Sequence, residues 1–134
     1  MSTKKTRLRF DKALVKPDGQ RLCRVETTFS FGGQQILTAA IDSEDRDGPL
    51  RAAAAATLEA IKQAVSDRFA CTLEDLDRVN ALGKDLIAVL VNVDFEGRSF
   101  QLFGSCQISG DEVATAVKAT LNATNRFVDL AMRG

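Results

Sequence analysis

The chain has no histidine, tryptophan or tyrosine among its 134 residues. Histidine is the commonest general base and transition-metal ligand near neutral pH, so its absence excludes most hydrolase triads and all imidazole metal sites. The three cysteines, Cys23, Cys71 and Cys106, form no CxxC pair and indicate neither a zinc site nor a disulfide framework. We therefore expect a cytoplasmic protein with reduced thiols, no metal, no cofactor and no enzymatic activity.

Excess charge of one sign and long apolar runs are also missing. The 18 basic side chains are balanced by 18 acidic ones, whereas nucleic-acid binders usually carry a basic face. No apolar run approaches the roughly 18 residues that a membrane span requires. We expect neither a nucleic-acid nor a membrane partner. The length fits a single domain over residues 1–134, and the initial Met1 favours a complete chain over a piece of a longer one.

Alternation of apolar and polar residues predicts three strands in the first half. Leu8 and Phe10 mark the first strand, which ends at a turn over residues 16–19. The second strand is bounded by the Gly32–Gly33 turn, and the third covers residues 35–41. One face of the second strand carries Cys23, Val25, Thr27, Phe29 and Phe31.

A helix follows the polar loop of residues 42–48. Pro49 suits a first helical turn, and the buried face is predicted to carry Leu50, Ala54, Leu58, Ile61 and Val65. The alanine run of residues 52–56 lets this helix lie close to a sheet or to another helix. We expect the helix to end over Ser66–Arg68.

The second half repeats this order, with one uncertain segment. Within residues 69–82, Leu73, Leu76 and Val79 suit a short helix, whereas residues 77–82 suit a strand; residues 83–85 suit a turn. Strands are predicted over residues 87–95 and 99–108, joined at Glu96–Gly97, and Ser109 and Asp111 are expected to cap the last helix. The predicted buried face of that helix carries Val113, Val117, Leu121, Thr124 and Val128. The aromatic residues expected in the core are Phe29, Phe31, Phe95, Phe100 and Phe103.

The two halves also resemble each other in sequence. Phe31-Gly-Gly-Gln aligns with Phe95-Glu-Gly-Arg at a spacing of 64, and Ala56-Thr-Leu-Glu-Ala60 aligns with Ala119-Thr-Leu-Asn-Ala123 at a spacing of 63. We therefore predict an α+β fold made of two βββα units, over residues 7–66 and 69–131. The units would be related by pseudo-two-fold symmetry, with their helices packed on antiparallel sheet.

Four segments carry a resemblance to a known family. They are Gly48-Pro49-Leu50, residues 76–83, the turn of residues 104–111 and the run of residues 116–126, of which Leu121-Asn-Ala-Thr-Asn-Arg126 is the most specific part. With the doubled unit, they resemble the regulatory (allosteric, dimerisation) domain at the C-terminus of 2-isopropylmalate synthase and citramalate synthase. The resemblance covers nearly the whole chain and favours a strand over residues 76–83.

The resemblance implies a non-catalytic, stand-alone regulatory module that forms a homodimer. In that family the domain binds leucine or isoleucine at the seam between its units. By resemblance, a small metabolite such as a branched-chain amino acid would bind at Gly48, Pro49, Ala52, Gly104, Ser109 and Gly110. Gly48 and Gly104 are also explained as structural turn residues, and Ser109 as part of the helix cap.

Two differences from the family pattern favour an alternative. An acidic loop over residues 42–47 replaces the first glycine-rich turn, and Cys106 stands where a glycine is usual. The metal-dependent barrel that performs the family's condensation is absent. The alternative function is a purely structural module that dimerises or docks on a partner protein without any ligand.

Overall fold

A computed structural model describes residues 7–65 and 69–133 of the chain. These residues form an α+β fold with two three-stranded antiparallel sheets and two helices in the order βββαβββα. The elements are β1 (Arg9–Pro17), β2 (Leu22–Phe31), β3 (Gln34–Ser43), α1 (Gly48–Ala64), β4 (Phe69–Ala81), β5 (Lys84–Phe95), β6 (Arg98–Gln107) and α2 (Glu112–Arg133).

The first sheet has β2 at its centre, paired on one side with β1 and on the other with β3. The predicted inward face of β2 is confirmed at Cys23, Val25, Thr27 and Phe29, which are buried, whereas Phe31 at the end of the strand is only half-buried. The predicted turn over residues 16–19 lies too early. Strand β1 continues to Pro17, and the backbone turns at Gly19 and Arg21, both of which have positive φ.

The second sheet has β5 at its centre, between β4 and β6. The uncertain segment is the strand β4, whose pairing with β5 is interrupted by a bulge between Leu73 and Asp75. The inward face of β5 carries four buried residues, Ile87, Val89, Val91 and Val93. The turn predicted over residues 83–85 is centred on Leu82 and Gly83 instead, since β5 already begins at Lys84.

Each helix contacts both sheets. Helix α1 contacts β2 and β3 of its own unit, β4 of the other unit, and α2; helix α2 contacts β5, β6 and β1. Four alanines of α1, at positions 52, 53, 54 and 56, are at most 1% exposed. At about 100° per residue, these positions spread over roughly 200° of the helix circumference, and the remaining side of α1 carries the exposed residues Ala55, Glu59 and Lys62. Its predicted end at Ser66–Arg68 lies outside the described residues.

Buried threonines hold the helices and strands together. Thr57 and Thr120 occupy equivalent places in the repeat, and each donates its hydroxyl to the carbonyl four residues earlier in its own helix. Thr38 of β3 donates to the carbonyl oxygen of Ala56 in α1 at 2.8 Å. These bonds satisfy hydroxyl groups that would otherwise be buried without partners.

The aromatic core is smaller than the sequence predicts. Phe29 is fully buried, but Phe103 is 69% exposed and Phe100 is 37% exposed. Phe103 lies opposite Leu90, so the alternation of β6 turns its side chain to the face of the sheet away from the helices. Among the described residues, no helix has the length and apolar character needed to cross a membrane.

Candidate functional site

The six predicted ligand-binding residues lie in three different environments. Gly48 and Ala52 are buried at the beginning of α1, and Gly104 is buried in β6. Pro49 is half-buried, whereas Ser109 and Gly110 are exposed in the loop before α2. The described residues form at least three surface clefts, and none of these six residues contributes to the walls of these three.

Gly48 and Gly104 are sites of close packing. A Cβ atom at Gly48 would lie 1.6 Å from the carbonyl oxygen of Ser43. A Cβ atom at Gly104 would lie 2.4 Å from the carbonyl oxygen of Ala119 and 2.4 Å from the amide nitrogen of Ala123. Each glycine therefore lets a helix backbone approach its strand, and the space where a side chain would stand is already filled.

Of the two predicted caps of α2, Asp111 is confirmed, whereas Ser109 makes no hydrogen bond to the described residues of that helix. The side chain of Asp111 accepts hydrogen bonds from the amides of Val113 at 2.9 Å and Ala114 at 3.3 Å. Gly110 has a φ of +77°, which favours glycine. The capping carboxylate occupies the amides that an anionic ligand would use at this helix end.

Two carboxylates of the acidic loop of residues 42–47 are paired with an arginine from α1. The guanidinium of Arg51 lies 3.1 Å from Asp42 and 3.2 Å from Asp45, and it also donates to Ser43 at 3.1 Å. Hydrogen bonding from Ser43, together with Gly48 and Arg51, lowers the pKa of Asp45. The loop thus folds onto the first turns of its own helix.

Arg78 of β4 joins the two units at the seam. Its guanidinium donates to Asp47, the residue before α1, at 3.0 Å, and to both carboxylate oxygens of Glu112 in the first turn of α2. The Arg78 side chain is only 17% exposed. Hydrogen bonding from Arg78 lowers the pKa of Glu112 and raises that of the arginine. One cation therefore ties the beginnings of both helices to the second sheet.

Two of the three cysteines are kept as neutral thiols by burial. Burial raises the pKa of Cys71 to about 11, and burial also raises the pKa of Cys23, so both thiols stay protonated at neutral pH. No group of three or more Cys, Asp or Glu side chains among the described residues could hold a metal ion.

The largest described cleft lies between β6 and α2 and has a volume of about 840 Å³. Its walls are residues 100–103 of β6 and side chains from the C-terminal half of α2, with Arg7 at one end. Asn122, Asn125 and Arg126 of the Leu121–Arg126 motif all line it. The structure therefore brings the polar residues of this motif to a cleft that excludes the six predicted site residues.

Two of the features at these sites were missed by sequence reasoning. Arg78 lies in the segment of residues 69–82, for which the sequence pattern did not decide between helix and strand. Its position at the seam could therefore not be predicted from the neighbouring residues. The cleft depends on how β6 packs against the last helix, and the sequence repeat does not predict that packing. The asparagines of the final motif were the one signal in the sequence that pointed to the cleft, because side-chain amides on a helix need hydrogen-bond partners.

No family model matches this chain, and no curated protein matches it at a significant level.

We predict that Gly104→Ala destabilises the protein by about 2–3 kcal/mol, because the added methyl group must push α2 away from β6. Urea unfolding at neutral pH measures the effect. Gly97→Ala is the control, since a Cβ atom there meets nothing within 4 Å and only the φ of +76° is unfavourable. We expect a loss of about 1 kcal/mol in the control. Equal losses in both variants would contradict close packing at Gly104.

We predict that Arg78→Gln lowers the free energy of unfolding by about 1–2 kcal/mol at pH 7, between the values for exposed and buried charged hydrogen bonds. The pKa of Glu112 is lowered in the folded state, so its contribution is complete above the ordinary value of 4.5 and is lost as the pH falls below it. The difference between wild type and variant should therefore shrink at pH 3. Urea titrations at both pH values measure this difference.

Arg24→Gln serves as the matched control for the seam arginine. Arg24 pairs with Glu26 two residues along its own strand, and its side chain is 43% exposed. This substitution should change stability little at either pH. A pH-independent loss in Arg78→Gln, or an equal loss in Arg24→Gln, would show that the bridge does not join the units.

Proposed function

We propose that this chain is a non-catalytic protein-interaction module rather than an enzyme or a metabolite sensor. The observation that supports this most is the packing at Gly48 and Gly104, where backbone atoms fill the positions next to both glycines. A ligand seated at these residues would have to separate a helix from its strand. The module would act by presenting surfaces to another protein.

The doubled architecture supports the resemblance to the regulatory domain of the isopropylmalate synthase family. Both units have the order βββα. The helix of each unit also contacts the first strand of the other unit: α1 contacts β4, and α2 contacts β1. Thr57 and Thr120 make the same hydrogen bond at equivalent positions. We infer that the units are related by a pseudo-two-fold axis that passes between the helices.

A second candidate is the regulatory function that the resemblance implies, with a branched-chain amino acid bound at the seam. The observation in its favour is that three of the six residues, Gly48, Ala52 and Gly104, are buried beside the helices. Binding there would require the helices to move apart. The two candidates therefore differ in whether a free amino acid stabilises the folded protein.

A homodimer is part of the proposal, and the outer face of the first sheet is its candidate surface. Leu14, Leu37 and Ile41 point away from the helices and are 48%, 68% and 50% exposed. Lys16 and Arg24 flank them on the same face, paired with Glu26. Burial of this patch would remove about 25 cal/mol of unfavourable hydration per Å² of apolar area.

We predict that leucine, isoleucine, valine and their 2-oxo acids leave the melting temperature unchanged. A ligand at a hundred times its dissociation constant would add about 2.7 kcal/mol of stability, which a thermal scan detects readily. The measurement is differential scanning fluorimetry with each compound at millimolar concentration. A concentration-dependent rise with any of them would overturn the interaction-only proposal in favour of metabolite binding.

We predict that Leu37→Lys shifts the chain from dimer to monomer, because a charged side chain placed in an apolar contact is left without a partner. Size-exclusion chromatography with light scattering gives the mass. Leu82→Lys is the control, since Leu82 is 99% exposed at the β4–β5 turn and lies off this face. A wild-type mass of one chain at all concentrations would rule out the dimer.

A further inference from the structure

One edge of the second sheet has backbone groups that point away from the sheet. Strand β6 is the last strand of its sheet and pairs only with β5 among the described strands. The two-residue turn Glu96–Gly97 sets Phe95 opposite Arg98, and the residues that flank such a turn are hydrogen-bonded to each other. By alternation, the backbone groups of Gln101, Phe103 and Ser105 then point away from β5.

Helix α2 stands beside this edge. The side-chain amide of Asn122 donates to the carbonyl oxygen of Ser105 at 2.8 Å, so one outward group already has a partner from the helix. Asn125 and Arg126 lie one turn further along α2 and line the same cleft as Gln101 and Phe103. Among the described residues, no hydrogen bond reaches the outward backbone groups of Gln101 or Phe103.

The dimensions of the cleft fit a short extended segment. It follows β6 from Phe100 to Phe103, which is about 10–13 Å at roughly 3.3 Å per strand residue. The opposite wall is α2 from Asn122 to Leu130, which is about 12 Å long at 1.5 Å per helical residue. A strand of three or four residues would therefore lie along the edge with the helix beside it.

The side chains of the cleft indicate what kind of segment fits. Arg126 makes no ion pair with any side chain that the structure describes, whereas Arg7 is paired with Asp129 at 2.7 Å. Phe103 and Leu130 are 69% and 61% exposed and provide apolar contact at the rim. The cleft therefore offers strand-edge hydrogen bonds, apolar surface and one uncommitted cation.

We propose that the groove between β6 and α2 binds an extended peptide segment of a partner protein by strand addition. The segment carries apolar side chains at alternate positions and a carboxylate, from an acidic residue or a chain end, that pairs with Arg126. This inference rests on the proposed interaction function and assigns it a surface. A second copy of this chain fits the groove less well, because its own α2 would stand in the same space beside its β6.

The test is selection from a library of random linear peptides of about seven residues with free carboxyl ends, a length that covers the groove. The full chain is the bait, and Arg126→Glu is the counter-bait. We expect enriched peptides with alternating apolar residues and a carboxylate. The best synthetic peptide should bind wild type at least about tenfold more tightly than Arg126→Glu, and Arg98→Glu, also on β6 but outside the cleft, should bind as wild type does.

Amide hydrogen exchange with this peptide locates the contact. We expect slower exchange at Gln101 and Phe103, while Gln35 and Leu37, two residues whose backbone groups point outward on the β3 edge, stay unchanged. A peptide with N-methyl groups on alternate amides cannot complete the strand pairing and should lose binding at least about tenfold. Unchanged melting temperatures of the two arginine variants exclude unfolding as the cause.

Four outcomes would overturn the inference. They are no peptide enriched over the counter-bait, equal binding of the N-methylated peptide, protection at Gln35 and Leu37 instead, and concentration-dependent protection of Gln101 and Phe103 without peptide. The last outcome would assign the groove to a second copy. None of these depends on the free amino acid screen, so failure of the groove and failure of the interaction function are distinguishable.

Discussion

The approach of α2 to β6 at Gly104 is the contact on which the rest of this structure depends. A Cβ atom at this position would lie 2.4 Å from each of two backbone atoms of the helix, so any residue other than glycine would displace the helix. That approach brings Asn122 within 2.8 Å of an outward carbonyl of β6. The same contact therefore fills the space beside Gly104 and forms the groove along the sheet edge. A glycine that resembles a ligand-binding position acts here through its packing.

The seam is held by charge as well as by small residues. Alanines allow the two helices to pack closely, but small side chains by themselves do not fix how far one unit slides along the other. Arg78 supplies directional bonds to Asp47 and Glu112, one at the beginning of each helix. Because the guanidinium is planar and its donors are fixed, the two helix ends are held in one geometry. The polar bridge thus sets the register that the apolar packing leaves open.

Much of the fold follows from local pattern, and the site does not. The alternation over Cys23–Phe29 and the step of three or four through Leu50, Leu58 and Ile61 predict buried faces that the structure confirms. The strand β4 was ambiguous because its bulge between Leu73 and Asp75 breaks the alternation and imitates helical spacing. Phe103 was assigned to the core because an aromatic residue on an edge strand has the same local pattern whether it faces a helix or solvent. Which face a strand buries, and which helix lies beside its edge, are decided by contacts between residues distant in sequence.

The two units differ in sequence at the positions that line the groove. At the repeat spacing of 63, Asn122 and Asn125 of α2 correspond to Glu59 and Lys62 of α1.

The charged pair in α1 suits a solvated helix surface, whereas amides can both donate to and accept from a backbone edge. Gly104, at a spacing of 64, corresponds to Ala40, so the first unit has a methyl group at the position where the second unit has none. In the first unit Thr38 ties β3 to α1 through a buried hydrogen bond. Both units thus have a helix beside a strand edge, and the substitutions in the second unit place amide side chains there.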